Sequence, residues 1–140
     1  MTADNAPGDT TLAIVRALWE RFERRDWAAA RALFADDAIM TWPCTGERFR
    51  GGDAAIAVNA AYPEGWSIHV LEVAALADGR ILSLVRVEQP PHRFFATSLF
   101  RIEGGKIREI AEYWATAEPP PAWRSAGNLS GYERLETANG

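Results

Sequence analysis

The chain has 140 residues, is 48% hydrophobic and carries six tryptophans, which is enough apolar material for one domain with a substantial core. Its formal net charge of −4 leaves no basic stripe to neutralise a phosphate backbone, so nucleic-acid binding is disfavoured. No apolar run approaches the ~20 residues of a membrane span, the start lacks the features of a secretion signal, and the single cysteine cannot form an internal disulfide. We therefore expect a cytoplasmic protein that binds neither membranes nor nucleic acid.

The first half of the chain predicts three helices and one strand. Apolar residues recur at helical spacing over residues 10–22, behind a polar and flexible N-terminus of residues 1–9. The aspartates that open residues 26–34 and 53–61 are good N-cap residues, so these segments predict a second and a third helix. Residues 38–42 indicate a strand that the following proline ends.

The second half predicts an antiparallel sheet. Four extended segments are separated by the turn pairs Asp-Gly, Pro-Pro and Gly-Gly, and they cover residues 66–75, 80–89, 93–102 and 106–116. Helices followed by a long sheet indicate an α+β domain in which the helices cover one face of a curved sheet. Residues 118–140 form a Pro-rich tail, which lies over the surface with Trp123 and Tyr132 tucked in or is partly loose.

The last predicted strand carries an acid beside large apolar residues. Side chains of a strand alternate between its faces, so Ile110, Glu112 and Trp114 share one side. Water-poor surroundings disfavour the charged form of a carboxyl and raise its pKa, which makes Glu112 a candidate general acid or base. The alternative, a glutamate at a rim that pairs with an arginine, has equal weight from the residues alone.

Several short motifs together resemble the nuclear transport factor 2-like superfamily, and within it the SnoaL-like polyketide cyclases. They are RDW at 25–27, LFADDA at 33–38, GG at 51–52, FRIEGGKI at 100–107 and EYW at 112–114. The resemblance covers residues 10–117 as one domain. It implies a cone-shaped α+β barrel of the cystatin-like or ketosteroid isomerase-like kind, with three N-terminal helices on a strongly curved mixed or antiparallel sheet. It also implies a homodimer through the convex face of that sheet.

The resemblance further implies which side chains point into the cone. Glu112 matches the position of the acidic catalytic residue of the cyclases, with Ser98 as a hydrogen-bond donor and Arg86 as an anchor for a carbonyl or anionic group. The implied substrate-binding residues are Trp42, Leu84, Glu88, Phe94, Ile110 and Trp114. For Ser98 the favoured alternative is a small residue that only lines the pocket. For Arg86 and Glu88 the alternative is a salt bridge at the pocket mouth, which for Arg86 has about the same weight as the functional role.

Three positions depart from the ketosteroid isomerases. By the same resemblance, Leu18, Trp42 and Ser98 stand where those enzymes carry a tyrosine, a proton-shuttling acid and an oxyanion-stabilising acid. Steroid isomerisation by that mechanism is therefore disfavoured.

These interpretations predict an enzyme of cyclase, isomerase or dehydratase type that uses no cofactor and acts on a small hydrophobic carbonyl compound. His69 and His92 lack metal-ligand spacing, so no metal is expected. The alternatives are a ligand-binding or accessory domain without catalysis and a protein-interaction module that uses the sheet surface. The outer sheet face, expected to carry Ile81, Val85, Val87, Leu99 and Tyr113, is too apolar for water and predicts cover by a second subunit.

Overall fold

The computed structural model describes residues 7–135, which form four helices and six strands. The helices are α1 (Pro7–Glu23), α2 (Trp27–Arg31), α3 (Gly52–Ala61) and α4 (Ala122–Ser125). The strands are β1 (Phe34–Trp42), β2 (Glu47–Arg50), β3 (Ser67–Ala75), β4 (Ile81–Gln89), β5 (His92–Glu103) and β6 (Lys106–Thr116).

The six strands form one mixed sheet in the order β2-β1-β6-β5-β4-β3. The pair β1 and β6 is parallel, and each of the other four pairs is antiparallel. Helix α1 packs on β3 and β4 while α3 packs on β1 and β2, so different helices cover the two ends of the sheet. The sheet is strongly curled without closing into a barrel, and the predicted α+β cone is confirmed.

The core lies between α1 and the inner face of the curled sheet. Val15 and Leu18 of α1 are at most 1% exposed, and they pack in the same cluster as Phe100 and Ile107 from the hairpin of β5 and β6. The helical spacing predicted for α1 therefore produces the apolar stripe that covers the sheet.

The start of β1 was predicted as the end of the second helix. That helix ends at Arg31, and Phe34 already pairs with Ile107 of β6. The amide of Ile107 donates to the carbonyl of Leu33 at 2.9 Å, so the parallel ladder captures this segment. An apolar pair such as Leu33 and Phe34 fits a helix face and a buried strand equally well. Here the pairing with β6 selects the strand.

Two features around α3 differ from the prediction: the residue that caps its N-terminus and the strand that precedes it. Gly51, with φ of 101°, is the N-cap of α3, and Asp53 lies in the first turn, where its carboxylate accepts a 2.6 Å hydrogen bond from Arg31. The edge strand Glu47–Arg50 was not predicted, because a short and highly charged segment has little strand signal. It pairs with the end of β1.

Strand β4 turns the opposite face inward from the one predicted. Ile81, Ser83, Val85 and Val87 are buried against the core, while Leu84, Arg86 and Glu88 lie on the outer face. The predicted inward orientation of those three residues is wrong, and so is the outward orientation of Ile81, Val85 and Val87. The physical reason is charge: on the outer face Glu88 keeps partial contact with water and pairs with Arg86 at 2.7 Å and Arg93 at 2.9 Å.

Described helices lie partly or wholly outside residues 10–117 at both ends of the chain. Helix α1 begins at Pro7, within the segment predicted to be flexible, and residues 1–6 lie outside the described range. In the tail, Trp123 is 71% exposed and is not tucked in, whereas Tyr132 is partly buried. Residues 136–140 are likewise outside the described range. No helix within residues 7–135 is long and apolar enough to cross a bilayer.

Candidate active site

A cavity of about 310 Å³ lies between the helices and the inner face of the sheet. Most of its lining is apolar, and four of the six tryptophans contribute to it. The lining residues are Trp19, Phe22, Trp42, Cys44, Thr45, Glu47, Val58, Asn59, Tyr62, Trp66, Ile68, Val87, Phe94, Trp114 and Thr116. They come from both ends of the curled sheet, which therefore wraps around the cavity. Such a space suits a small, largely apolar molecule.

Glu112 is buried directly behind this lining. Its side chain is 3% exposed, and both carboxyl oxygens accept hydrogen bonds. Trp42 Nε1 donates to Oε1 at 3.1 Å, and Ser98 Oγ donates to Oε2 at 2.6 Å. The sheet provides this geometry. On β5, Ser98 is the cross-strand partner of Glu112. On β1, Thr41 pairs with Ala111, so the next residue, Trp42, lies beside Glu112. Within residues 7–135, no cationic side chain forms a salt bridge with Glu112.

Burial raises the pKa of the Glu112 carboxyl above its ordinary value, because the charged form loses its hydration. The hydrogen bonds from Ser98 and then Trp42 favour the charged form and oppose this shift without cancelling it. The indole of Trp114 acts weakly in the same direction, although its N–H makes no hydrogen bond of regular geometry. The predicted buried acid is therefore present, and the alternative of a rim glutamate paired with an arginine is wrong.

Two indoles separate the carboxyl from the cavity. Trp42 and Trp114 both line the cavity and pack edge to face with ring centroids 6.4 Å apart, whereas Glu112 is not among the lining residues. Trp42 also packs edge-on against Phe49, with ring centroids 4.8 Å apart, and it is only partly buried. Direct contact between a ligand and Glu112 therefore requires one indole to move.

The structure brings together most of the predicted site residues on β1, β5 and β6. Trp42, Phe94 and Trp114 line the cavity, and Ser98 and Glu112 lie behind them. Ile110 shares their face but is only 4% exposed and belongs to the closed core. Leu84, Arg86 and Glu88 are on the far side of the sheet and cannot touch a ligand in the cavity, so the roles predicted for them there are wrong. Arg86 and Glu88 form the alternative salt bridge, but on the outer face instead of at the pocket mouth.

Sequence reasoning missed much of the helical wall of the cavity. Trp19 and Phe22 belong to the apolar stripe predicted for the first helix and share the core cluster, but they also face the cavity. Trp66 carried a usable signal, since it shares a strand face with Ile68, which is a lining residue too. The C-terminal end of α3, at Asn59 and Tyr62, gave no such signal.

Comparison with known proteins identifies the family to which the chain belongs. The SnoaL-like domain model matches residues 15–110, a segment that ends just before Glu112. A candidate ketosteroid isomerase from Kribbella flavida is similar at 26% identity and a TM-score of 0.79, over 94% of this chain and 93% of that one. No curated protein matches the chain.

Two further solved structures are less similar in sequence. An NTF-2 like protein of unknown function from Burkholderia xenovorans has 19% identity and a TM-score of 0.75, over 91% of this chain and 97% of that one. A candidate polyketide cyclase from Sinorhizobium meliloti has 23% identity and a TM-score of 0.63, over 71% of this chain and 93% of that one. Both likenesses indicate the fold alone.

Proposed function

Because the chain belongs to the SnoaL-like domain family, we propose that it is an acid/base enzyme that acts on a small hydrophobic carbonyl compound, with Glu112 as the proton donor or acceptor. The observation that carries this proposal is a fully buried carboxyl, directly behind an apolar cavity, that has no cationic partner among the described residues. Burying such a group is costly, so its presence favours a functional role. A relative described as a candidate ketosteroid isomerase supports a reaction within the cyclase, isomerase or dehydratase range.

The raised pKa of Glu112 extends the pH range over which the carboxyl keeps its proton, which suits a general acid or base. In its protonated form the carboxyl donates to a substrate carbonyl, and in its ionised form it removes a proton from the carbon beside that carbonyl. Movement of the Trp42 indole exposes Oε1 to the substrate. Ser98 is 0% exposed and holds Oε2, so in this proposal it is a positioning residue that does not touch the substrate.

The test uses 2-acetylnaphthalene, an apolar ketone with exchangeable protons beside its carbonyl. Wild-type protein in D₂O is expected to accelerate deuterium exchange at the methyl group, measured by proton NMR. Glu112→Gln keeps the shape of the protonated carboxyl, and it is expected to lose roughly 10²- to 10⁴-fold of that acceleration. Equal exchange rates for the two proteins would remove Glu112 from the chemistry.

A second candidate function is ligand binding without turnover. The observation in its favour is that Trp42 and Trp114 stand between Glu112 and the cavity. In this case the role of Glu112 is to hold Trp42 in place through their hydrogen bond, so that the indole forms part of the cavity wall. Binding of 2-acetylnaphthalene with no acceleration of exchange by the wild-type protein would favour this function over the first.

We also propose that two copies of the chain associate through the outer face of the sheet. The helices that contact the sheet lie on its inner face, while the outer face carries Leu82, Leu84, Leu99 and the 45% exposed Tyr113. Cross-strand pairing joins Leu82 to Leu99 and connects Leu84 to Tyr113 through Thr97. A largely apolar stripe of this kind, with Thr97 between Leu84 and Tyr113, is typical of an interface.

A further inference from the structure

The indole N–H of Trp66 is a buried donor without an acceptor. The side chain is 8% exposed and lines the cavity, and its Nε1 has no hydrogen-bond partner within the described residues. Buried polar groups in folded proteins are paired in the great majority of cases, because an unpaired donor loses its hydration without compensation. Nε1 itself is closed off from the cavity, so a bound molecule supplies the acceptor when a small movement of the ring turns the N–H toward it.

Two of the other three tryptophans of the cavity have a hydrogen-bond acceptor. Trp19 Nε1 donates to Ser83 at 3.1 Å, and Trp42 Nε1 donates to Glu112 at 3.1 Å. The Trp114 indole acts on the same Glu112 carboxyl. Two indoles thus donate to protein groups, and the Trp114 N–H makes no regular hydrogen bond but acts on Glu112, whereas the N–H of Trp66 has neither role within the described residues.

Arg25 holds the Trp66 ring in position and improves its N–H as a donor. The guanidinium carbon lies 3.3 Å from the ring centroid, and Nη2 donates to the Trp66 carbonyl at 2.7 Å. Glu64 fixes the guanidinium in turn, with Nη2 at 2.9 Å from Oε1. A cation over an indole face draws electron density from the ring, which makes its N–H a stronger donor.

The cavity lining indicates which acceptor fits. None of its residues is Lys, Arg or His, and Glu47 is its one acidic side chain. An anionic ligand would lose hydration there without gaining a cationic partner. The matching group is therefore a neutral oxygen on an apolar body.

We propose that Trp66 is a ligand-binding residue that donates its indole N–H to the carbonyl oxygen of a neutral, apolar ligand. The proposal deepens the function proposed above, because it rests on a small carbonyl compound occupying the cavity, but it does not depend on proton transfer by Glu112. Trp66 adjoins β3 at one end of the sheet, whereas Trp42 lies on β1 toward the other. Anchoring at Trp66 would therefore orient the ligand across the cavity.

Two molecules of matched shape test the proposal. 2-Acetylnaphthalene carries a carbonyl, and 2-isopropenylnaphthalene replaces its oxygen with a CH₂ group. In ¹H–¹⁵N NMR spectra of the wild-type protein, the ketone is expected to shift the Trp66 indole proton downfield, and the alkene is not. The ketone is expected to bind roughly five- to tenfold more tightly, as one hydrogen bond predicts. Equal affinities, or no binding of either molecule, would overturn the proposal.

A variant pair separates the hydrogen bond from packing. Trp66→Phe is expected to lose the roughly five- to tenfold preference for the ketone while binding the alkene as before. Trp27→Phe is the matched control: Trp27 packs near Trp66 with ring centroids 6.4 Å apart but does not line the cavity, so the preference is expected to persist. The same loss for both molecules in Trp66→Phe would assign Trp66 to packing alone.

The outcome is distinct from that of the proton-transfer test. If Glu112→Gln exchanges deuterium like the wild type while Trp66→Phe loses its ketone preference, the acid/base function fails and the Trp66 proposal stands. If Glu112→Gln abolishes exchange while Trp66→Phe keeps the ketone preference, the acid/base function stands and the Trp66 proposal fails.

Discussion

The Glu112 carboxyl couples protonation to folding, because its pKa in the folded chain is raised above the ordinary value of 4.5. Between these two pKa values the folded chain holds a proton that the unfolded chain has released. The contribution of Glu112 to stability is therefore fully present below pH 4.5 and is lost as the pH rises through the raised pKa. Above that range a buried charge remains, which destabilises the fold.

Glu112→Gln is expected to remove this pH dependence. The amide mimics the neutral carboxyl, since its oxygen can accept from Trp42 and its nitrogen can donate to Ser98. The free energy of unfolding, measured with urea across a pH series that starts below 4.5, should fall less with rising pH than in the wild type. Glu109→Gln alters an exposed glutamate on the same strand and should keep the wild-type profile. Parallel profiles for all three proteins would contradict a raised pKa.

Ser98→Ala is expected to raise the pKa of Glu112 further. The hydroxyl donates at 2.6 Å to the carboxylate, and removing this bond disfavours the charged form. At a pH where Glu112 is ionised, the variant should also lose about 1–3 kcal/mol of stability, because a buried acceptor is left without its partner. Carbon-13 NMR of the Glu112 carboxyl would follow the titration.

Ser83→Ala makes the same chemical change at a buried serine whose hydroxyl accepts from Trp19 instead. It should leave the titration of Glu112 where it is in the wild type. A Ser98→Ala titration that coincides with that of the control would exclude Ser98 as a positioning residue.

The short helix α2 depends on its N-terminal cap, which the sequence correctly predicted. Asp26 Oδ1 accepts from the amide of Ala29 at 3.1 Å. Asp26→Ala is expected to cost about 1 kcal/mol, and Asp26→Asn much less because asparagine also caps well. Urea unfolding of both variants would measure the difference. Equal losses would indicate that charge, and not capping, is the contribution of Asp26.

The family resemblance predicted the inward face correctly on β6 and wrongly on β4. On β6, Glu112 lies between Ile110 and Trp114 in the alternation, and all three point inward as predicted. On β4, Leu82 and Leu84 make the outer face apolar as well, so hydrophobic alternation alone was ambiguous. The charges of Arg86 and Glu88 were the better guide, because ionised groups stay in contact with water. Access to Glu112 was beyond prediction, since it depends on how two indoles pack.

At the scale of the whole molecule, the outer sheet face should determine the association state. Leu84→Glu places a charge in the apolar stripe, where an interface between two copies would have to bury it. We expect the wild type to be dimeric at micromolar concentration and Leu84→Glu to be monomeric, measured by size-exclusion chromatography with light scattering. Leu135→Glu changes a leucine that is 87% exposed and away from the sheet, and it should stay dimeric. A monomeric wild type would contradict the proposed homodimer.

The position of β6 between β1 and β5 has a consequence for synthesis on the ribosome. β6 follows the other five strands along the chain, yet it forms the parallel junction between the two parts of the sheet. Until it emerges, the nascent chain presents two open strand edges, at β1 and at β5, and the inner wall around them stays incomplete. We therefore expect β6 to complete folding by inserting between two partly assembled halves, so a chain that stops before residue 106 should be prone to aggregation.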